Sequence, residues 1–363
     1  MSYDIELAEY GAKLQSTDGH QRQLVRHNVD LTTVKGGFQE FDDNAFFACA
    51  CISPRVKSSD FTKIRCKKTE QLIGWFIPAL YYSEPWEFTD QKFLSDFAYA
   101  GFVKYWKSRS FESIRRNFHA EITEGESDFA DDLPDDIGLA VFSRQSLKKT
   151  ELQLSSIKIS LLRNNIWAFD GGIPLQRFLS SAQLAARDTQ ADTRRHVEIL
   201  HLPKHCSDID QLLCSILDLA VDELSGIGGF LYLYQVAEHL MEVSFSNSVR
   251  EISHQGLPAW KLKKKLTDVS SEIYRLREVA RQAQINGAKA EIFDDLRDEC
   301  ISFLDMCQAS HQEDSNTWID KVYGARNILI HNHLSVLRSG ANSKLESVNK
   351  LLYRAILELI FHY

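Results

Sequence analysis

Hydrophobic and polar positions along the chain follow two different rhythms. Up to about residue 206, apolar residues come as short runs or alternations at 45–52, 71–80, 157–169 and 196–202. Each run is bounded by proline, glycine or polar clusters, the pattern of β-strands. Between them, 90–118 and 175–187 read as helices. After Pro203 the spacing becomes three and four residues. One helical region is expected at 208–246, broken at Gly226, Gly228 and Gly229. Leu262, Leu266, Val269, Ile273 and Leu276 form a second apolar stripe, and Phe293, Leu296, Cys300, Phe303 and Cys307 a third. Residues 318–332 make another helix, and Val348, Leu351, Ala355, Ile356 and Leu359 stripe the last. Stripes this dense specify amphipathic helices packed as a bundle. The expected fold class is α+β: a β-containing mixed domain over 1–206, then an all-α bundle over 207–363.

Composition narrows the setting. A hydrophobic share of 44% is ample for real cores in 363 residues, and 25% charge is ordinary for a soluble chain. No stretch approaches the ~18 uninterrupted apolar residues of a membrane span. Met1–Tyr10 lacks the basic-then-apolar pattern of a signal peptide. Seven cysteines, an odd number, do not make a disulfide framework. The expectation is a reduced, cytoplasmic protein without a membrane partner. A net charge of -8 argues against a general nucleic-acid coat but leaves room for a local basic site. Lys261, Lys263, Lys264 and Lys265 form one basic run, either a solvated helix face or a place for a polyanionic substrate. Residues 121–136 hold eight acidic side chains and no basic one, which reads as an exposed loop or disordered insertion.

The chemistry concentrates at Arg326-Asn327-Ile328-Leu329-Ile330-His331. Arginine cannot lose its proton, so it rarely enters an apolar helix face without a partner or a task. Histidine accepts and returns a proton near neutral pH. Arg-x4-His alone is a weak pattern, and Arg22 with His27 repeats it by chance. The surroundings of Arg326 differ. On a helical wheel, Trp318, Ile319, Val322, Tyr323, Ala325, Leu329 and Ile330 share one broad sector with Arg326 near its middle. Asn327 and His331, four apart, lie on its flank. A buried cation needs a counter-group, and Glu238, one turn beyond Tyr234, is the expected one. Arg326 and His331 are about 140° apart on a straight helix. Either the helix ends near His331, or two copies of the motif face each other; a symmetric dimer is favoured. A buried Arg–Glu pair that merely joins two helices is the plain structural alternative.

A bundle whose penultimate long helix carries Arg-Asn-x-x-x-His after Tyr323-Gly324, with Tyr234-Gln235-Val236-Ala237-Glu238 on an earlier core helix, resembles the HEPN superfamily over roughly residues 210–363. The resemblance implies a metal-independent endoribonuclease with no cofactor, working as a homodimer through the C-terminal bundle. It implies a setting in antiviral defence, abortive infection or toxin systems. Arg326 and His331 match the catalytic pair and Asn327 the polar residue after the arginine, with Tyr234, Glu238 and His333 in support. Where some members carry a modifiable tyrosine two residues after the histidine, this chain has His333. The N-terminal half would then meet a regulatory protein or a phage-derived trigger. Silent members that only dimerise or sense nucleotides give the alternative readings.

Other groupings carry less. His201, His205, Cys206 and Cys214, with His196 upstream, match no familiar zinc spacing. Cys49 and Cys51 alternate along an expected strand and should both point into a core. Gly226-Ile227-Gly228-Gly229 lacks the Lys-Ser/Thr of a phosphate loop and reads as a helix break. Trp75, Trp86 and Trp106 suit base stacking but are more naturally core anchors.

Overall fold

The structure is a computed structural model in which residues 3–8, 11–16, 21–23, 45–53, 61–78, 97, 101, 137–169, 196–308 and 317–363 are described. The chain divides into two compact units, Met1–Leu200 and His201–Tyr363. The division falls a few residues ahead of the one expected after Cys206. Residues 201–206 go with the helices because Pro203 precedes helix α3 (Lys204–Ser207), whose Cys206 is buried with Sγ 4.0 Å from the Ile360 carbonyl. The expected helix at 175–187 and the acidic stretch at 121–136 lie outside the described residues. So does most of 90–118, of which Phe97 and Gly101 are helical and buried.

The first unit is built on strands. β1 (Tyr3–Ala8), β2 (Gly11–Ser16) and β3 (Gln21–Gln23) form an antiparallel three-stranded sheet that the polar–apolar alternation did not single out. A second sheet has six strands in the order β8-β4-β7-β6-β5-β9. These are β4 (Phe46–Ile52), β5 (Thr62–Cys66), β6 (Leu72–Pro78), β7 (Ile137–Ser143), β8 (Trp167–Phe169) and β9 (His196–Ile199). All pairs are antiparallel except β5 with β9, which is parallel. Central β6 is buried on both faces, which is why it reads as a continuous apolar run rather than an alternation. Gly138 of β7 makes room there: a Cβ on it would lie 2.4 Å from the Phe76 ring.

One expected strand is a helix. The run at 157–169 divides into α2 (Leu154–Arg163) and β8. Ile157-Lys158-Ile159 looks alternating, but Leu154, Ile157 and Leu161 keep helical spacing, and Ile157 and Leu161 enter the core with Leu147 of α1 (Arg144–Thr150). Asn164 stops the helix by donating from Nδ2 to the Ser160 carbonyl at 2.7 Å, and Asn165 turns the chain at φ 55°. Cys49 and Cys51 do face one side of β4, with Sγ atoms 3.7 Å apart, against this same core. Phe46, on the opposite face, packs edge-on to Phe97 at 5.1 Å.

The second unit is the helical bundle. After α3 come α4 (Asp210–Asp222), α5 (Ile227–His254), α6 (Ala259–Ser270), α7 (Glu272–Ile285), α8 (Ala290–Met306), α9 (Trp318–His331), α10 (His333–Ser339) and α11 (Asn342–His362). The glycine cluster is the expected break, with Gly226 at the N-cap of α5. Buried Asn349 of α11 holds it, donating from Nδ2 to the carbonyls of Leu224 and Gly226 at 2.8 Å each. The second stripe proves to be two helices: Ser271, extended at φ -65°, ψ 130°, separates α6 from α7. Phe293, Leu296, Cys300, Phe303 and Cys307 are all buried, as helical spacing requires. No described helix is long and apolar enough to cross a membrane.

Candidate functional site

Helix α9 is fixed at its start and along one face. Thr317 caps it by accepting from the Asp320 amide at 3.3 Å, and its hydroxyl donates to the Asp320 carboxylate. Arg277 of α7 reaches the same carboxylate, Nη2 to Oδ1 at 2.7 Å. Trp318, Ile319, Val322, Ala325 and Leu329 are buried, and Trp318 stacks on Phe293 of α8 at 4.8 Å. That packing leaves Arg326 on the side of α9 turned toward α5 and α7, its side chain 20% exposed.

Three helices meet around the guanidinium. Its carbon lies 5.8 Å from the centre of the Tyr234 ring of α5, close enough for a cation–π contact. Its Nε is 3.9 Å from Glu272 Oε1, at the first residue of α7. At partial exposure and this separation, such a pair contributes on the order of 1 kcal/mol or less. Tyr234, 2% exposed and stacked on Phe230 at 6.0 Å, donates its phenol to that same Oε1 at 2.8 Å. Burial first, then the bond to Glu272 and its charge, push the Tyr234 phenol well above the usual tyrosine range, while Arg326 acts in the opposite sense. The phenol is therefore a fixed donor that holds the acid.

The cation is held without being satisfied. Among the described residues, its one hydrogen bond runs from Nη1 to Asn327 Oδ1 at 3.3 Å. Among the described residues the buried Nε has no hydrogen-bond acceptor. A guanidinium offers five N–H donors, so most remain for a ligand that carries oxygen atoms. The Asn327 amide nitrogen also carries no hydrogen bond among the described residues and lies next to them.

His331 is the last residue of α9, and Asn332 ends the helix at φ -142°, ψ 42°. Both His331 and His333, the first residue of α10, are exposed. Over five residues of helix, Arg326 and His331 are separated by roughly 7.5 Å of rise and about 140° of rotation. Near His331 in the sequence, three apolar side chains are exposed: Ile330 at 41%, Leu334 at 53% and Leu337 at 58%.

Glu238 is not the counter-charge. It is exposed on α5, while Glu272 takes the position beside Arg326. The missed signal was Ser270-Ser271-Glu272, a serine pair before an acid, which is where a helix starts. Lys261, Lys263, Lys264 and Lys265 all lie exposed on α6, with Lys265 Nζ 2.7 Å from Gln255 Oε1. Among the described residues no group of three or more His, Cys, Asp or Glu is placed to hold a metal. His205 instead meets the Tyr363 ring edge-on at 5.4 Å. Trp75 is 3% exposed in the first unit's sheet, whereas Trp86 and Trp106 lie outside the described residues. The chain matches no protein-family model, no curated protein and no solved structure.

Proposed function

We propose that the second unit is a HEPN-type endoribonuclease that cleaves RNA by internal attack, with no metal required for the chemistry. The observation that supports this is the half-buried Arg326 guanidinium, steadied by the Tyr234 ring and Glu272 yet with most donors unbonded. A phosphodiester offers the oxygen acceptors that those donors lack. Arg326 binds its non-bridging oxygens and stabilises the extra negative charge of the transition state, and the Asn327 amide donates beside it. An imidazole takes the proton from the ribose 2′-hydroxyl, and the 2′-oxygen bonds to the adjacent phosphorus. The bond from phosphorus to the 5′-oxygen breaks, and that oxygen takes a proton from an imidazolium. The products end in a 2′,3′-cyclic phosphate and a 5′-hydroxyl.

On an ideal helix Arg326 and His331 point about 140° apart, a spread that two facing copies of the motif would bridge even though the helix ends at His331. We therefore assign the active form to a homodimer whose partner helices bring two motifs together. Ile330, Leu334 and Leu337, exposed beside His331, supply apolar surface for that contact. His333 would lie at the rim of the shared cleft, and the first unit would meet a regulatory or phage-derived trigger in a cytoplasmic defence or toxin system. The ion pair between Glu272 and Arg326 favours a second reading, a silent dimerising or nucleotide-sensing module.

One experiment separates them. The full chain incubated with RNA in EDTA should give cyclic-phosphate ends, and His331→Ala should abolish cutting without changing the melting profile. Unchanged cutting in His331→Ala, or a strict need for a divalent cation, would overturn the nuclease reading. Saturable binding of a nucleotide without RNA products would favour the second.

A further inference from the structure

We infer that helix α6 is a capture surface for single-stranded RNA, with Trp260 stacking a base and Lys261, Lys263 and Lys264 holding the phosphates around it. This deepens the nuclease reading and rests on it for the choice of polyanion. Trp260 is 67% exposed, the most exposed of the large hydrophobic side chains in the described residues. It is not a frayed core anchor. The inward side of α6 consists of Leu262, Leu266 and Val269, which are partly or fully buried, and the helix packs by that side on α5 and α7. Trp260 falls on the opposite side, in line with Lys263, Lys264 and Thr267 at helical steps of three, four and seven. Lys261 Nζ lies 5.3 Å from the Trp260 ring centre, so the indole already accepts a cation on its face.

Charge complementarity names the occupant. Helix α6 carries four lysines against one aspartate in a chain of net charge -8. An anionic bilayer would want an apolar helix face to bury, and that face of α6 is already packed. An exposed aromatic between ammonium groups instead suits a flexible polyanion with accessible rings, a single strand. Paired bases would not reach Trp260. The position also fits delivery to the site. Ser271 alone separates α6 from Glu272, the acid beside Arg326. Trp260 stands ten residues ahead of the end of α6, about 15 Å along its axis.

The test is fluorescence anisotropy of a labelled oligouridine twelve-mer with the full chain carrying His331→Ala, so that nothing is cut. Adding Trp260→Ala should weaken binding about tenfold or more, the usual size for losing a stacked base, while Trp260→Phe retains most of the affinity. Adding Lys263→Gln with Lys264→Gln should flatten the dependence of log affinity on log salt by about 1.4. Duplex RNA should bind more weakly and respond little to Trp260→Ala. Unaltered oligouridine binding in both variants, equal losses on duplex, or binding to phosphatidylserine vesicles with none to oligouridine would each overturn the proposal. Failure of the nuclease reading looks different: the unmutated chain would bind the oligonucleotide and leave it whole.

Discussion

Arg275 and Arg326 each lay a guanidinium over an aromatic ring of α5, at 5.6 Å from Phe245 and 5.8 Å from Tyr234. Each has a glutamate nearby and, among the described residues, a buried Nε without an acceptor, and their side chains are 23% and 20% exposed. The difference is one hydroxyl. Phe245 has none, and Arg275 reaches Glu242, an open side chain, at 3.5 Å. Tyr234 has one and spends it on Glu272, whose oxygen stays 3.9 Å from Arg326. Both are ion pairs within 4.0 Å, and only the second glutamate is also held by the hydroxyl of the ring beneath the cation. Only the second arginine is followed, five residues on, by a histidine at a helix end.

The sharpest way to break this comparison is to remove each cation in turn. Arg326→Ala should cut RNA cleavage by about 10²–10³-fold, the scale for losing a charge-stabilising donor. Arg326→Lys should recover little, because an ammonium cannot reproduce the planar fork. Arg275→Ala should leave the cleavage rate near that of the unmutated chain and cost roughly 0.5–3 kcal/mol of stability in urea. Equal loss of cleavage in Arg275→Ala and Arg326→Ala would show that both arginines merely hold α5.

Much of this was legible in the chain. Helix α9 was, because its apolar residues recur at three and four. The motif residues were too, since an arginine amid such a stripe is anomalous in itself. Glu272 was hidden because partnership was inferred along one helix, from Tyr234 to Glu238, whereas the acid arrives from another helix across a break at Ser271. Apolar spacing runs smoothly from Leu266 to Ile273 and gives no sign of that break. Helix α2 was masked by the opposite accident, an Ile-Lys-Ile triplet that alternates by chance. The parallel pairing of β5 with β9 joins residues far apart in the chain, and no local pattern encodes it. Trp260 gave no signal because a lone tryptophan ordinarily anchors a core.

A smaller effect sharpens the role of the hydroxyl. Tyr234→Phe keeps the ring under Arg326 but frees Glu272 to close on the guanidinium, repeating the Arg275 arrangement. Stability should fall by about 1 kcal/mol, the usual worth of one hydrogen bond. Cleavage should fall about tenfold, a cost of roughly 1.4 kcal/mol in the barrier. Glu272→Gln should retain cleavage, since its amide oxygen still accepts from Tyr234 and no charge competes for Arg326. Faster cleavage in Tyr234→Phe together with lost cleavage in Glu272→Gln would mean that the acid takes part in the reaction rather than being held from it.

The smallest effect comes from a group that, unlike the arginines, can shed its charge. His205 has a buried Nε2 with no hydrogen-bond partner among the described residues. Burial lowers its pKa below the ordinary 6.5, His239 nearby lowers it further, and Asp208 partly opposes them. Above pH 6.5 the imidazole is neutral in both folded and unfolded chains, and its full contribution is present. As the pH falls below 6.5 the unfolded chain takes up a proton that the folded one resists, so stability declines until the folded pKa is passed. The ring is only partly enclosed, so the slope should be shallow. Urea unfolding of the full chain between pH 7.5 and 5.5 should show this decline, and His205→Gln should flatten it. An unchanged slope in His205→Gln would assign the decline to another group, and rising stability toward pH 5.5 would mean that the folded chain favours the protonated imidazole after all.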